Sequence, residues 1–303
     1  MAEFPNASIE ALARAVPGRI GFYIEDLATG LKYERNAHDL FPTASICKVP
    51  VLIELFRRVE EGTISLNERR CLPRDTSRQF ASGHLRMLWD EPEMSLRDYA
   101  RLMIRVSDDM ATDVLMEVVG LDHVNATMGK LGFANTRVTM NMGRWHYTMV
   151  DMGHEPINPE NDERAGAIMQ AGDENNESVS YRGALQNNVT TPYEMATILR
   201  QLHEGEIVSP RASADMIELL KGATDRTRIP KYINVAVEIA HKTGGSGRIK
   251  GDVGVLYLPT GPLIMAGLSL TNHRKDGNAG TEAIAQVTQL AVGALSPASV
   301  VDR

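Results

Sequence analysis

Ser45 and Lys48 stand three residues apart at the mouth of an apolar run, FPTASICKVPVLIELF (41–56). A serine hydroxyl is a weak nucleophile at neutral pH unless a base stands beside it. On a helix, residues three apart share a face, so Ser45 Oγ and Lys48 Nζ can converge. A helix N-terminus adds backbone N–H groups and a positive dipole end, both suited to a developing anion. The same serine would also cap the helix. Ordinary composition yields about one SxxK per 300 residues by chance, so the pair alone does not choose between nucleophile and cap.

Two other stretches put polar groups at element ends. Ser107-Asp108-Asp109 interrupts two helical patterns. By itself it reads as a capping cluster for the helix that begins near Met110. It would also serve to aim a hydroxyl into a cleft, with polar neighbours touching substrate. Lys242-Thr243-Gly244-Gly245 closes a β-branched strand. Such an end is commonly a solvated hairpin. Chemically it offers a point charge, a hydroxyl for a carboxylate, and glycines that let a substrate reach backbone N–H groups.

The elements that must hold these groups follow from periodicity. Residues 18–36 alternate and turn at Thr29-Gly30, a β-hairpin. Val49, Leu52, Ile53, Phe56 and Val59 recur at helical spacing and Gly62 ends the run; Pro50 predicts a small kink. Helices are predicted over 95–106, 110–120 and 121–132. The stretch 141–188, polar and poor in β-branched residues, reads as long loops. Thr190 or Thr191 then caps a helix with Pro192 in its first turn, and SPRASADMIELLKG gives another. Three glycine-punctuated strands occupy 235–270 and a closing helix about 279–294. The expected fold is therefore α/β plus all-α, an antiparallel sheet flanked by helices with an inserted helical domain. Residues 1–44 and 190–303 form the sheet domain and 45–189 the insertion, with long polar loops over 141–189.

Of 303 residues, 43% are hydrophobic and 23% charged, ordinary for a globular protein. A net charge of −7 without a Lys/Arg cluster argues against a nucleic-acid surface. No apolar run approaches the ~20 residues of a membrane helix, and the N-terminus lacks the pattern of a signal peptide, so a cytoplasmic location is expected. Cys47 and Cys71 form no CxxC pair, HEPIN (154–158) fails the HExxH pattern, and no metal or cofactor is expected.

SxxK, then a Ser-Asp pair, then KTG, in that order on a strand–helix–strand layout, resembles the signature of class A β-lactamases and penicillin-binding proteins. The chain resembles class A most closely, from about residue 19 to about 295, including LMIRVSDDMATDVLMEVVG, NDER and TTPYEMATILRQLHEGEIVSP. The resemblance implies that Ser45 is acylated with Lys48 as its partner, and that Ser107 relays a proton to the leaving nitrogen. It implies that Lys242 and Thr243 bind the substrate's carboxylate, and that the N–H groups of Ser45 and Gly245 form an oxyanion hole.

The sequence departs from that pattern in three places. Asp109 stands where the family usually has asparagine. An ionised aspartate can only accept hydrogen bonds, which predicts a substrate offering a donor there; it also favours a charged Lys48. The family's deacylating glutamate is matched by Glu155-Pro156, one residue short in its spacing to Asn158; aligning on Arg144-Trp145 instead puts His146 there, a base suited to neutral pH. The third departure is roughly two dozen residues between NDER and TTPYEMA, where the family is shorter; this insertion reads as a solvated loop, with a lid or a partner surface as alternatives. Arg226 and Arg228 precede the KTG strand, and Arg228 is a candidate for carboxylate binding. The expected function is a serine hydrolase opening a lactam or amide bond in a small molecule. Its alternatives are a hydrolase of another small amide, ester or D-peptide, and a penicillin-binding sensor or trap with slow deacylation.

Overall fold

The computed structural model describes residues 3–72 and 82–301. The alternation of 18–36 becomes an antiparallel hairpin in which β1 (Gly18–Asp26) pairs with β2 (Lys32–Arg35), Ile24 opposite Tyr33. Gly30, at φ 75°, makes the turn in a conformation only glycine adopts without strain. Near the other end of the chain, β7 (Glu238–Ser246), β8 (Ile249–Leu258) and β9 (Gly261–Thr271) form an antiparallel meander. β1 pairs with β9 along its length, from Gly18 opposite Thr271 to Asp26 opposite Leu263. The sheet order β2-β1-β9-β8-β7 thus joins both ends of the chain and leaves β7 at an edge.

Period-two alternation gives the sheet two apolar faces. Ile20, Phe22 and Ile24 cluster with Leu263 and Met265, with Ile9 of α1 (Asn6–Arg14), and with Ile284 and Val287 of α10 (Gly277–Leu295). On the other face Gly21 sits against Phe41 and Pro192. There α8 (Pro192–Glu204) packs on β1, β8 and β9, and α9 (Pro210–Lys221) on β7. Thr191 caps α8, its Oγ1 accepting the N–H of Glu194 at 3.0 Å, and Pro192 takes the first position, where no N–H is needed.

The chain divides into two compact units, Met1–Ile46 with Thr190–Arg303, and Cys47–Val189. The first junction lies two residues beyond the expected 44/45 boundary, so Ser45 goes with the sheet and Lys48 with the helices. The two-residue strands β3 (Phe41–Pro42) and β6 (Val189–Thr190) stand in sequence near the two junctions.

In the helical unit α2 (Lys48–Glu60) is buried from Lys48 to Phe56, among α3 (Leu96–Arg105), α4 (Asp109–Val119) and α5 (Leu121–Lys130). Pro50 is the third residue of α2, in the first turn, where N–H groups lack intrahelical acceptors and proline costs little. The short strands β4 (Arg69–Cys71) and β5 (Glu93–Ser95) pair antiparallel ahead of α3.

The reading of 141–188 as long loops is corrected: it contains α6 (Met142–Met149) and α7 (Pro159–Ala171). Asn141 caps α6 and Asn158 caps α7, and Gly172 in the left-handed region ends α7. The insertion after NDER is not a merely solvated loop either. Asn187 Oδ1 accepts the Trp145 indole N–H at 3.0 Å, and Ser180 Oγ donates to Trp145 O at 2.9 Å. Ser178 Oγ donates to Thr148 O at 2.8 Å, so buried polar side chains of the insertion clamp α6.

Candidate active site

In the helical unit, the first residue of α2 anchors one set of groups. Lys48 is 0% exposed. Its Nζ donates to Ser107 O at 2.7 Å, to Ser107 Oγ at 3.1 Å and to Asp109 Oδ1 at 2.6 Å. Three acceptors around one nitrogen match the three protons of an ammonium. Ser107 adopts φ 56°, uncommon for a residue with a Cβ, and the turn brings both of its oxygens to the lysine.

The trio at 107–109 divides its labour. Asp108 is the helix cap: its Oδ1 accepts the Ala111 N–H at 2.9 Å. Its Oδ2 accepts the N–H groups of His84 at 2.7 Å and Leu85 at 2.9 Å, which ties down the loop that follows Ser82. Asp109 turns to Lys48 and accepts the Ser82 N–H at 2.9 Å. Burial opposes ionisation of Asp109, but Lys48, His146 and the Ser82 N–H outweigh it and hold the carboxyl below its ordinary range.

One turn along α4, Asp113 accepts the N–H groups of Met142 at 2.6 Å and Gly143 at 3.0 Å, joining α4 to the start of α6. Burial dominates there, and the charge on Asp109 adds to it, pushing Asp113 up to about 7 despite those two hydrogen bonds. His146, on α6, is buried and lies in the field of Asp109 and Lys48. Burial lowers its pKa, although the Asp109 carboxylate pulls the other way.

Glu155 is placed elsewhere. Its side chain is 48% exposed and pairs with Arg164 at 3.5 Å. Of the two residues matched to the family's deacylating glutamate, the fold brings His146 to the Lys48 cluster and leaves Glu155 at the surface.

In the sheet unit, Ser45 is a buried residue of the 3-10 turn Ala44–Cys47. The expectation that it caps the helix is corrected: Cys47 holds the N-cap position of α2, and no side chain caps it. Ala44 enters the turn at φ 44°. The KTG strand lies against this turn. A Cβ on Gly244 would overlap Thr43 O and come within 3.0 Å of Ile46 N, so only glycine permits the approach.

Lys242 is buried, its Nζ donating to Thr243 O at 2.8 Å. Arg228 Nη1 donates to Asp225 Oδ2 at 2.9 Å, and its Nη2 lies 3.0 Å from where a Gly245 Cβ would stand. Arg228 Nε is buried without a hydrogen-bond partner, a donor suited to an anion at this strand. Burial opposes charge on Asp225, yet hydrogen bonds from Thr227 and Thr243 and the Arg228 charge hold it at about 2.

Behind them lies a pair that sequence reasoning missed. His241 Nδ1 meets Asp252 Oδ1 at 2.9 Å, and Asp252 Oδ2 accepts the Ile229 N–H at 3.0 Å. One buried carboxylate thus holds the residue before Lys242 and the residue after Arg228. Nothing in the local sequence signals it, because His241 and Asp252 meet only once β7 and β8 pair. Asp113 did leave a trace: it stands four residues after Asp109, on the same helix face.

Among the described residues no group of three or more His, Cys, Asp or Glu side chains is arranged for a metal ion. No helix among them is long and apolar enough to cross a membrane.

The profile of the β-lactamase enzyme family matches residues 5–295. The chain belongs to that family. As a member it is a serine hydrolase of the β-lactamase type, acting on small molecules. A β-lactamase of Streptomyces cellulosae is 24% identical over 269 residues, 86% of this chain and 75% of the relative. The solved β-lactamase of Sphaerobacter thermophilus is 27% identical with a TM-score of 0.77, covering 96% of this chain and 97% of the other. An ancestral class A β-lactamase, 22% identical over 95% of this chain and 99% of its own, shares the fold at a TM-score of 0.75.

Proposed function

We propose that Ser45 is the nucleophile of a hydrolase that opens a lactam or amide bond in substrates carrying both a carboxylate and an N–H donor. The observation that carries this reading is the close approach of Gly244 to the turn holding Ser45, with Lys242, Thr243 and Arg228 on and beside the same strand. Lys242, Thr243 and the unspent Arg228 Nε hold the substrate carboxylate. The N–H groups of Ser45 and Gly245 receive the oxyanion, where losing one donor typically costs ~2.7–4 kcal/mol of transition-state stabilisation.

Ser45 Oγ attacks the carbonyl, and its proton passes to Lys48 once that amine has released one proton to solvent. The Lys48 Nζ–H that Asp109 Oδ1 accepts at 2.6 Å is held in place by that contact, so the resting pair resists this step. A substrate N–H or ammonium competing for Asp109 loosens that hold and frees Lys48 as a base. Ser107 passes the proton to the leaving nitrogen. His146 then activates the water that releases the acyl group. A lactam with an amino-bearing side chain and a short D-peptide amide both meet these demands. The surface position of Glu155 supports a second reading, a slowly deacylating penicillin trap, should His146 not act as base.

Two penicillins differing only in a side-chain amino group test the substrate claim. The amine-bearing compound is expected to acylate faster, and equal rates would contradict it.

A further inference from the structure

A cavity of about 600 Å³ opens in the sheet unit beyond the KTG end of β7, lined by Gly247, Lys250, Arg274, Lys275, Gly277 and Asn278. Its lining side chains include three cations and no acid, in a chain whose net charge is −7. Asp276, at the start of α10, is close in sequence but is not among the lining residues.

Lys250 connects this cavity to the strand proposed to bind substrate. It pairs with Gly245 across β7 and β8, and its Cδ lies 3.4 Å from where a Gly245 Cβ would be. Further out, its Cε lies 3.1 Å from where a Gly277 Cβ would be. Gly277 is also close to Gly247 O, 2.6 Å from such a Cβ, so two glycines shape the wall where α10 meets the hairpin. The positive end of α10 adds to the potential of the three side chains.

The order of groups along β7 gives the cavity a direction. Lys242 and Thr243 take the carboxylate, Gly245 the reacting carbonyl, and Gly247 stands in the turn that follows the strand's last residue, Ser246. The part of a substrate beyond its carbonyl, on the side away from its carboxylate, therefore runs toward the cavity. We infer that this cavity is a subsite for a second acidic group, carboxylate or phosphate, on the distal arm of the substrate. The inference rests on the proposed function for its orientation, and it deepens that reading: the preferred substrate is acidic at both ends, with an N–H donor between.

The test compares benzylpenicillin with a penicillin whose side chain carries a second carboxylate, using the intact protein and the double variant Arg274→Ala/Lys275→Ala. Both positions are exposed, so the variant leaves the core untouched. The dicarboxylate is expected to have the lower KM with the native protein. The double variant should raise that KM roughly fivefold while changing benzylpenicillin by less than about twofold. Lys250→Met, which keeps the packed stem, should act in the same direction. Equal effects on both penicillins, or none on either, would overturn the subsite.

If neither penicillin acylates Ser45, the functional reading fails and the cavity is judged by itself. Malonate and inorganic phosphate are then titrated while the amide signals of Gly247, Gly277 and Asn278 are followed by NMR. Shifts that saturate in the native protein and vanish in the double variant support an acidic-group site, and the tighter anion identifies which acid it takes. Absence of shifts overturns it.

Discussion

Lys48 Nζ lies 2.6 Å from Asp109 Oδ1 in a buried ion pair, with both oxygens of Ser107 completing the lysine's hydrogen bonds. Under the proposed function, this pair makes the chemistry depend on what the substrate offers to Asp109.

Replacing Asp109 with asparagine removes the charge that holds Lys48. Turnover of acylamino penicillins lacking a free amine is expected to rise, by roughly tenfold if about 1.4 kcal/mol of that hold is released. Steady-state hydrolysis measures it. Complete loss of activity in a folded Asp109→Asn protein would contradict this account of the pair.

His146→Gln and Glu155→Gln separate the two candidates for the deacylating base. The His146 variant should accumulate acyl-enzyme, with deacylation slowed roughly 10²–10⁴-fold, the usual contribution of a general base. The Glu155 variant should match the native rate within about twofold. Stopped-flow acylation and mass-spectrometric decay of the adduct report both.

Asp113 makes stability fall as pH rises. Its folded pKa, about 7, lies above the ordinary 3.8, so between these values the folded state binds the extra proton and unfolding releases it. Its contribution is present below about pH 4 and lost as pH rises through about 7. Asp113→Asn should therefore gain in Tm relative to native as pH goes from 5 to 8, its one carbonyl oxygen keeping one of the two N–H groups at the start of α6. Asp225 works in the opposite sense: held at about 2, it supports the fold above its ordinary 3.8, and that support is lost as pH falls through about 2. Thermal melts across pH check both.

Arg228→Ala should raise KM for carboxylate-bearing penicillins about tenfold with little change in kcat, the mark of binding lost equally from ground and transition states. Asp252→Asn should raise KM in the same way without touching substrate, because it loosens His241 and Ile229 together. A fall in kcat with unchanged KM would assign Asp252 a different part.

The hairpin β1–β2 and the helix α2 were legible because their periods of 2 and 3.6 are carried by apolar residues that end in the core. Helices α6 and α7 were not: α6 is eight residues long, too short for its buried Met142, Trp145, Tyr147 and Met149 to show a period, and α7 buries Asp162, Ala165 and Gly166 rather than an apolar stripe. Yet Asn158-Pro159 and Gly172 did mark the ends of α7. In the helical unit, the sequence singled out both Lys48 and Ser107, which the fold brings into hydrogen-bond contact. The Glu155 choice turned on a Glu-Pro pair that packing leaves at the surface, and His241–Asp252 on a strand pairing no local pattern records. Ser45 was misjudged as a cap because a 3-10 turn, not the α-helix itself, carries it.

The most direct test follows the intact mass of the protein mixed with an amine-bearing penicillin, with Ser45→Ala alongside. The account predicts an adduct of one opened penicillin on the native protein, decaying with turnover, and none on the variant. An adduct that forms equally on Ser45→Ala, or no adduct from any penicillin, would contradict it.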